Sequence, residues 1–371
     1  MANDFISGNN PYQMQFVVQN SISAYSDEAY TNARKLSGTA IVGADARVDT
    51  STEDYFGQMR WYKALTPVIN VASVSDPTDG TPTEVTSAFS AYIKTVRTHG
   101  ARNVNVQAVI SQQDGLAKIG RDFGETRAQD EHNSILEALK GVAGYEASRG
   151  PGITTFATDA EAGVGFFVDL TVVGGAAPAN KLILDKQTAA AQGAAQGSPL
   201  FRAVGMAWKD YEDDYMYLIT SPETLADMRD ANLVDIITVT EGNLNFSTIF
   251  NGKFRLLLTR ADQGDFSSST NVNVASTKTS FVVKPNAMTM KPLSVPMPTE
   301  MGRDPAAYMG GGTTDIWYRW GYVCHPYGYD WAGSTTQFAQ TAGLGGYDQP
   351  ASWTRADQGY LNLGILPIFH G

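Results

Sequence analysis

The chain has 371 residues, of which 43% are hydrophobic and 18% charged, with 38 acidic against 27 basic side chains and a formal net charge of -11. Such a composition is globular, is long enough for one to three domains, and excludes a broad basic surface for gripping nucleic-acid phosphates. The single cysteine, Cys324, excludes an internal disulfide framework and fits synthesis in a reducing cytoplasm.

The N-terminus, MANDFISGNNPYQ, has neither the basic region nor the apolar core of a secretory signal. No apolar run approaches the ~20 residues of a transmembrane helix, so no membrane partner is expected. Residues 1–55 are polar and rich in small side chains. A helix is predicted over 21–36, where Ile22, Tyr25, Ala29, Ala33 and Leu36 fall near helical spacing. The rest of this segment reads as an extended arm, which cannot bury itself and must lie on something else.

Residues 66–74, TPVINVASV, are β-branched and strand-like, and residues 75–84, SDPTDGTPTE, are dense in turn formers centred on Asp79-Gly80. Residues 85–96 alternate, with Val85, Phe89, Ala91 and Ile93 on one face. Together they predict a long β-hairpin. A two-stranded ribbon is marginal in water, so this one needs a surface to lie against. The alternative is a pair of strands within an ordinary sheet.

The strongest helical pattern lies in 112–144, where Ala128, His132, Ile135, Leu136, Leu139 and Val142 form one face. Glu125, Arg127, Glu131 and Glu137 are read as decorating its sides, and Gly141 or Gly144 as ending it. Further on, strands are predicted at 165–173, 181–185, 215–220, 251–259, 280–290, 314–326 and in the tail 358–371, and helices at 200–210 and 221–233. The second of these begins with a cap-competent Ser221, Pro222 at the first helical position and Glu223 at the positive end of the dipole. Strands and helices mix without a βαβ rhythm, which predicts an α+β fold.

Little in the chain has the pattern of an active site. His99, His132, His325 and His370 are the only histidines, and none has metal-ligand spacing to another or to Cys324. There is no GxSxG elbow, phosphate loop or dinucleotide fingerprint. The acidic run KDYEDDY at 209–215 lacks the alternation and glycine of a calcium loop. No catalytic residue, metal or cofactor is expected. Residues 322–333, YVCHPYGYDWAG, read as architecture: a buried thiol, then a turn built from His325, Pro326, Gly328, Tyr329 and Trp331.

The order of elements resembles the major capsid proteins of tailed bacteriophages, the Hong Kong 97 type. The resemblance rests on the helix TRAQDEHNSILEALKGV at 126–142, the unit YLITSPETLADMRDANLVD at 217–235, the strand GKFRLLLT at 252–259 and the His-Pro-x-Gly turn at 325–328. The tail QPASWTRADQGYLNLGILPI at 349–368 echoes the family more loosely. It implies an N-terminal arm (1–55), an extended hairpin loop (56–100), a peripheral domain with a spine helix (101–150 and 276–335) and an axial domain (151–275 and 336–371). It also implies a structural, non-enzymatic protein of the virion capsid, made in the host cytoplasm, whose copies form pentamers and hexamers of an icosahedral shell around double-stranded DNA. The hairpin residues Val68, Ile69, Val71, Val85, Phe89, Ala91 and Ile93 would then meet a neighbouring copy. Expected partners are the chain itself, a scaffolding protein, a portal, a decoration protein, and packaged DNA contacted weakly. The short arm and initial Met are read as an uncleaved chain served by a separate scaffold. A cellular compartment shell and a soluble hydrolase are the alternative readings.

Overall fold

The computed structural model describes residues 11–34, 36–50, 56–62, 87–104, 115–150, 165–169, 199–208, 215–222, 224–226, 234–241, 244–249, 252–258, 278–310, 312–333, 346–356 and 363–370. Two helices lie against each other, α1 (Pro11–Ala33) and α2 (Gly115–Ser148). At 1.5 Å per residue the 34 residues of α2 reach about 51 Å, which makes it the spine of the molecule. Helix α1 begins before the predicted start at Ser21, and α2 runs past the predicted end at Gly144. Helix α1 takes up part of the segment expected to be an extended arm.

The spine carries glycine inside its length, where glycine ordinarily weakens a helix. A β-carbon on Gly124 would collide with the backbone of Ser26 and Tyr30, so its absence lets α1 approach closely. Gly141 and Gly144 do not end the helix, contrary to the expectation from sequence. They admit a later segment, the strap at 346–356: a β-carbon on Gly141 would strike the carbonyl of Tyr347, and one on Gly144 would lie 2.6 Å from Pro350 Cγ. With α1 and the strap covering it, the spine is buried on more than one face. Glu131, read as decorating a side of the helix, is therefore buried, and its carboxylate accepts a hydrogen bond from Tyr30 at 2.7 Å.

A six-stranded sheet lies against the spine. Its strands are β1 (Val42–Gly43), β2 (Phe56–Tyr62), β3 (Ser87–Val104) and, far later in the chain, β10 (Met288–Pro292), β11 (Thr299–Asp304) and β12 (Thr313–Pro326). Strands β3 and β12 pair antiparallel along eleven positions, from Lys94–Val323 to Val104–Thr313. Alternation sends Ile316, Tyr318, Trp320, Tyr322 and Cys324 of β12 toward the spine, where Tyr322 bonds Ser134 at 2.7 Å and Trp320 donates to Asp130 at 2.9 Å.

The second sheet orders β4 (Val168–Asp169), β15 (Ile365–His370), β9 (Lys278–Val283), β5 (Met216–Thr220), β8 (Phe254–Leu258), β7 (Leu244–Ile249) and β6 (Val234–Glu241). Strand β5 is buried throughout, as a central strand covered on both faces should be. Helix α3 (Pro199–Ala207) packs against β15, and Trp208 Nε1 donates to the carbonyl of Leu363 at 2.9 Å. One continuous apolar cluster runs through both sheets.

Residues 280–290, predicted as one strand, are two. Lys284, Pro285 and Asn286 turn the chain, Asn286 with a φ of 57°, and carry it from the second sheet into the first. Strand 278–283 thus hydrogen-bonds with the second sheet, whereas the boundary expected at 276 groups it with the spine. The strap at 346–356 is the converse case. Sequence groups it with the axial residues, yet it packs on the spine, and its strand β14 (Trp353–Arg355) pairs with β13 (Tyr329–Trp331). The predicted strand 181–185, the acidic run 209–214 and most of the helix at 221–233 lie outside the described residues. Within that helix, the Thr224 N–H donates to the capping Ser221 hydroxyl at 3.3 Å.

Candidate assembly interface

The hairpin leaves the first sheet as β2 and returns as β3. The register runs from Phe56–Ile93 to Tyr62–Ser87. Sequence predicts that the return strand pairs with 66–74, but its partner is 56–62. The β-branched stretch has the better strand propensity, while 56–62 has the position. Val68, Ile69, Val71 and Val85 lie outside the described residues.

Pairs directly opposite in an antiparallel ribbon share a face. Tyr92 and Met59 belong to the outer face and are buried against Val48, Val323 and Leu293 of the same chain. Tyr92 also bridges the backbone of Asp49, accepting from its N–H at 2.8 Å and donating to its carbonyl at 2.9 Å. The inner face continues the side of β3 that rests on the spine. There Ile93 is 3% exposed and belongs to the main core, so it is not free for a partner. Beyond the reach of the spine the same face is uncovered: Phe56 is 43% exposed and Phe89 48%, with Ala91 half-buried between them. Arg60 lies over the Phe89 ring at 5.0 Å. Among the described residues the hairpin therefore presents Phe56 and Phe89 on one face, and only one of these two is visible in the sequence pattern. Phe89 stands out by alternation, while Phe56 needs the pairing register.

The 325–331 segment packs inside the subunit. Gly328 has a φ of 88°, and its carbonyl accepts from the Ala356 N–H at 3.0 Å. Pro326 pairs with Met288 at the end of β12, and Tyr329 and Trp331 are buried. Trp331 meets Trp353 edge-on at 5.2 Å and Tyr347 at 5.7 Å. His325 lies between Tyr92 and Trp353, at 6.4 and 6.3 Å. Burial lowers its pKa to about 4 against the opposing pull of Asp45, so the ring is neutral. Asp330 ties this turn to the hairpin by accepting from the Ala91 N–H at 3.2 Å.

Cys324 is buried, and burial pushes its thiol well above the usual range, first by desolvation and then through Glu137, Glu131 and Asp130. A thiolate nucleophile is disfavoured there. Among the described residues no three or more His, Cys, Asp or Glu side chains gather as a metal site, and no helix is long and apolar enough to cross a membrane.

A buried ion pair escapes the sequence pattern altogether. Glu146, at the end of the spine, receives two hydrogen bonds from Arg355 at 2.8 and 2.5 Å, and a third from the Phe166 N–H at 2.8 Å. Spine, strap and the segment leading into β4 all meet at this carboxylate.

The described architecture is a long spine under one sheet, a second sheet, and a ribbon of β2 and β3 that extends the first sheet. No family model matches the sequence, and no curated protein matches it. The capsid of Ralstonia phage GP4 matches in structure, at 13% identity, over 92% of this chain and 90% of that chain, with a TM-score of 0.51. The cyanophage Pam1 capsid follows at 11% identity, 87% and 86% coverage and a TM-score of 0.45. The capsid of cyanophage P-SCSP1u has 12% identity, 87% and 85% coverage and a TM-score of 0.43. The GP4 likeness spans nearly the whole of both chains, and the fold is the Hong Kong 97 type of tailed-phage capsids.

Proposed function

We propose that this chain is a major capsid protein. Its copies assemble head-to-tail into pentamers and hexamers, and these close into an icosahedral shell around the double-stranded DNA of a tailed phage. The observation that carries this reading is the fold shared with the GP4 capsid over 92% of the chain. The uncovered aromatic face of the hairpin supports it, because a ribbon that leaves Phe56 and Phe89 in water gains by laying them on a neighbouring copy. In this reading the sheet on the spine is the peripheral domain and the seven-stranded sheet the axial domain. The turn at 325–331 is structural. A scaffolding protein, a portal and a decoration protein are the other partners, and the net charge of -11 keeps contact with packaged DNA weak. The protein is made in the host cytoplasm and resides in the virion.

Electron microscopy and sedimentation of the purified protein test this. Closed shells that co-purify with DNA are expected. Single subunits or small oligomers overturn the reading, and shells holding an enzyme in place of DNA replace it with a cellular compartment. The hairpin is tested by Phe56→Ser with Phe89→Ser, and by replacing residues 63–86 with a Gly/Ser linker. Both variants should melt cooperatively and fail to close shells. Normal shells from either one remove the hairpin from the assembly surface.

A further inference from the structure

The strap at 346–356 crosses the spine where the helix has no side chain to hold it off, over Gly141 and Gly144. Within the strap the Trp353 Nε1 donates to the Tyr347 carbonyl at 2.8 Å, and a Tyr347–Thr95 hydroxyl bond of 2.9 Å ties the strap to β3. Beside this crossing stand two carboxyl groups from the two sides of the contact. An ideal β-carbon on Gly346 would lie 4.0 Å from Glu137 Oε2 of the spine and 3.9 Å from Asp348 Oδ1 of the strap. Both oxygens thus border the same point of the interface.

The other charges around Glu137 are Asp130 and Lys140 on the spine and Arg97 on β3, and the Cys324 thiol is near. Arg97 is 3.7 Å from Asp130, so its charge is divided between carboxylates. Asp130 also accepts from Trp320 at 2.9 Å and Tyr322 at 2.8 Å. Glu137 borders the strap instead, with the like charge of Asp348 across the contact.

We propose that docking of the strap on the spine is proton-linked through Glu137, which meets Asp348 as a neutral carboxyl when docked and as a repelled carboxylate when deprotonated. Burial, then Asp348, raise Glu137 from 4.5 to about 7, with Asp130 adding and Arg97 and Lys140 opposing. The docked state therefore binds more protons than the released state between those values. Docking is strongest in acid and weakens as pH rises through about 7. The strap covers the Trp331 and His325 cluster, so its release opens that part of the core. The contact is within one chain, and its test does not depend on assembly.

Hydrogen exchange of the full-length protein, followed by mass spectrometry at pH 6 and pH 8 with intrinsic rates divided out, reads the opening of 346–356 directly. Opening in the wild type should rise by up to about tenfold between the two pH values. Glu137→Gln should protect the strap equally at both, and Asp348→Asn should reduce the dependence by removing the like charge while burial remains. If one variant fails to fold, the other decides. A wild-type change under about twofold, or a full pH dependence retained in either folded variant, overturns the proposal. So does an equal change in strand 365–370, which would mean that the whole subunit opens.

Discussion

Arg355→Met tests the most deeply buried charge pair of the described residues. In the native chain the Glu146 and Arg355 side chains are 0% and 1% exposed, and two of the three hydrogen bonds to the carboxylate come from Arg355. The substitution removes both of these and leaves Glu146 the Phe166 N–H, in a site without water access. Breaking one side of such a pair costs about 3–5 kcal/mol, because a charge stays buried without its counter-ion. At roughly 2 cal/mol/K of unfolding entropy per residue, a chain of this length should lose about 4–6 °C of melting temperature. Glu146→Gln should cost a similar amount by stranding Arg355. The double variant should cost less than the sum of the two, since no charge is left buried and the introduced amide carbonyl can still accept from Phe166. Calorimetry of the three variants at matched concentration is the measurement. If each single variant melts within about 1 °C of the wild type, or if the losses simply add, the pair is not the node that ties spine, strap and the β4 segment together.

Gly328→Val should lower soluble yield and cost at least about 1 kcal/mol, since a β-branched side chain is strained at the φ of 88° found there; a normal melting curve refutes this. Cys324→Ser should still fold and assemble, and thiol reagents should label native wild type far more slowly than denatured protein. Fast native labelling would place the thiol outside the core. His325, held neutral with a pKa of about 4 against 6.5 when unfolded, binds its proton more readily in the unfolded chain. Stability should therefore fall as pH drops from about 6.5 toward 4, by up to about 3 kcal/mol. His325→Gln should flatten that slope in melting experiments between pH 7 and 5, and an unchanged slope assigns the acid sensitivity elsewhere.

The spine is legible in the sequence because its core face repeats at helical spacing over several turns, and Ile135, Leu136, Leu139 and Val142 are indeed buried. Its ends are not. Glycine carries two opposite messages in a helix, and local sequence does not distinguish a terminator from a gap left for a neighbour. At Gly141 the neighbour is the Tyr347 carbonyl, more than two hundred residues away. The hairpin shows the same division. Alternation locates the return strand and puts Phe89 on one face with Ile93, but burial along that face changes where the spine ends. Phe89 is exposed while Ile93 is core.

Contacts that join segments distant in the chain leave no local signal. Glu146 and Arg355 are 209 positions apart, and each alone reads as an ordinary surface charge. Their burial follows from the glycines rather than from the charges. Once Gly141 and Gly144 let the strap lie close on the spine, the next turn of the helix is brought within reach of Arg355, and a carboxylate sealed from water at that point must find a cation or lose its charge. The same close approach confines Glu137 beside Asp348, so that the strap brings it a like charge and not a cation. One crossing thus brings a cation to one carboxyl group and a like charge to the other. The first holds the strap on the spine at any pH where both groups are charged. The second makes the grip depend on a proton.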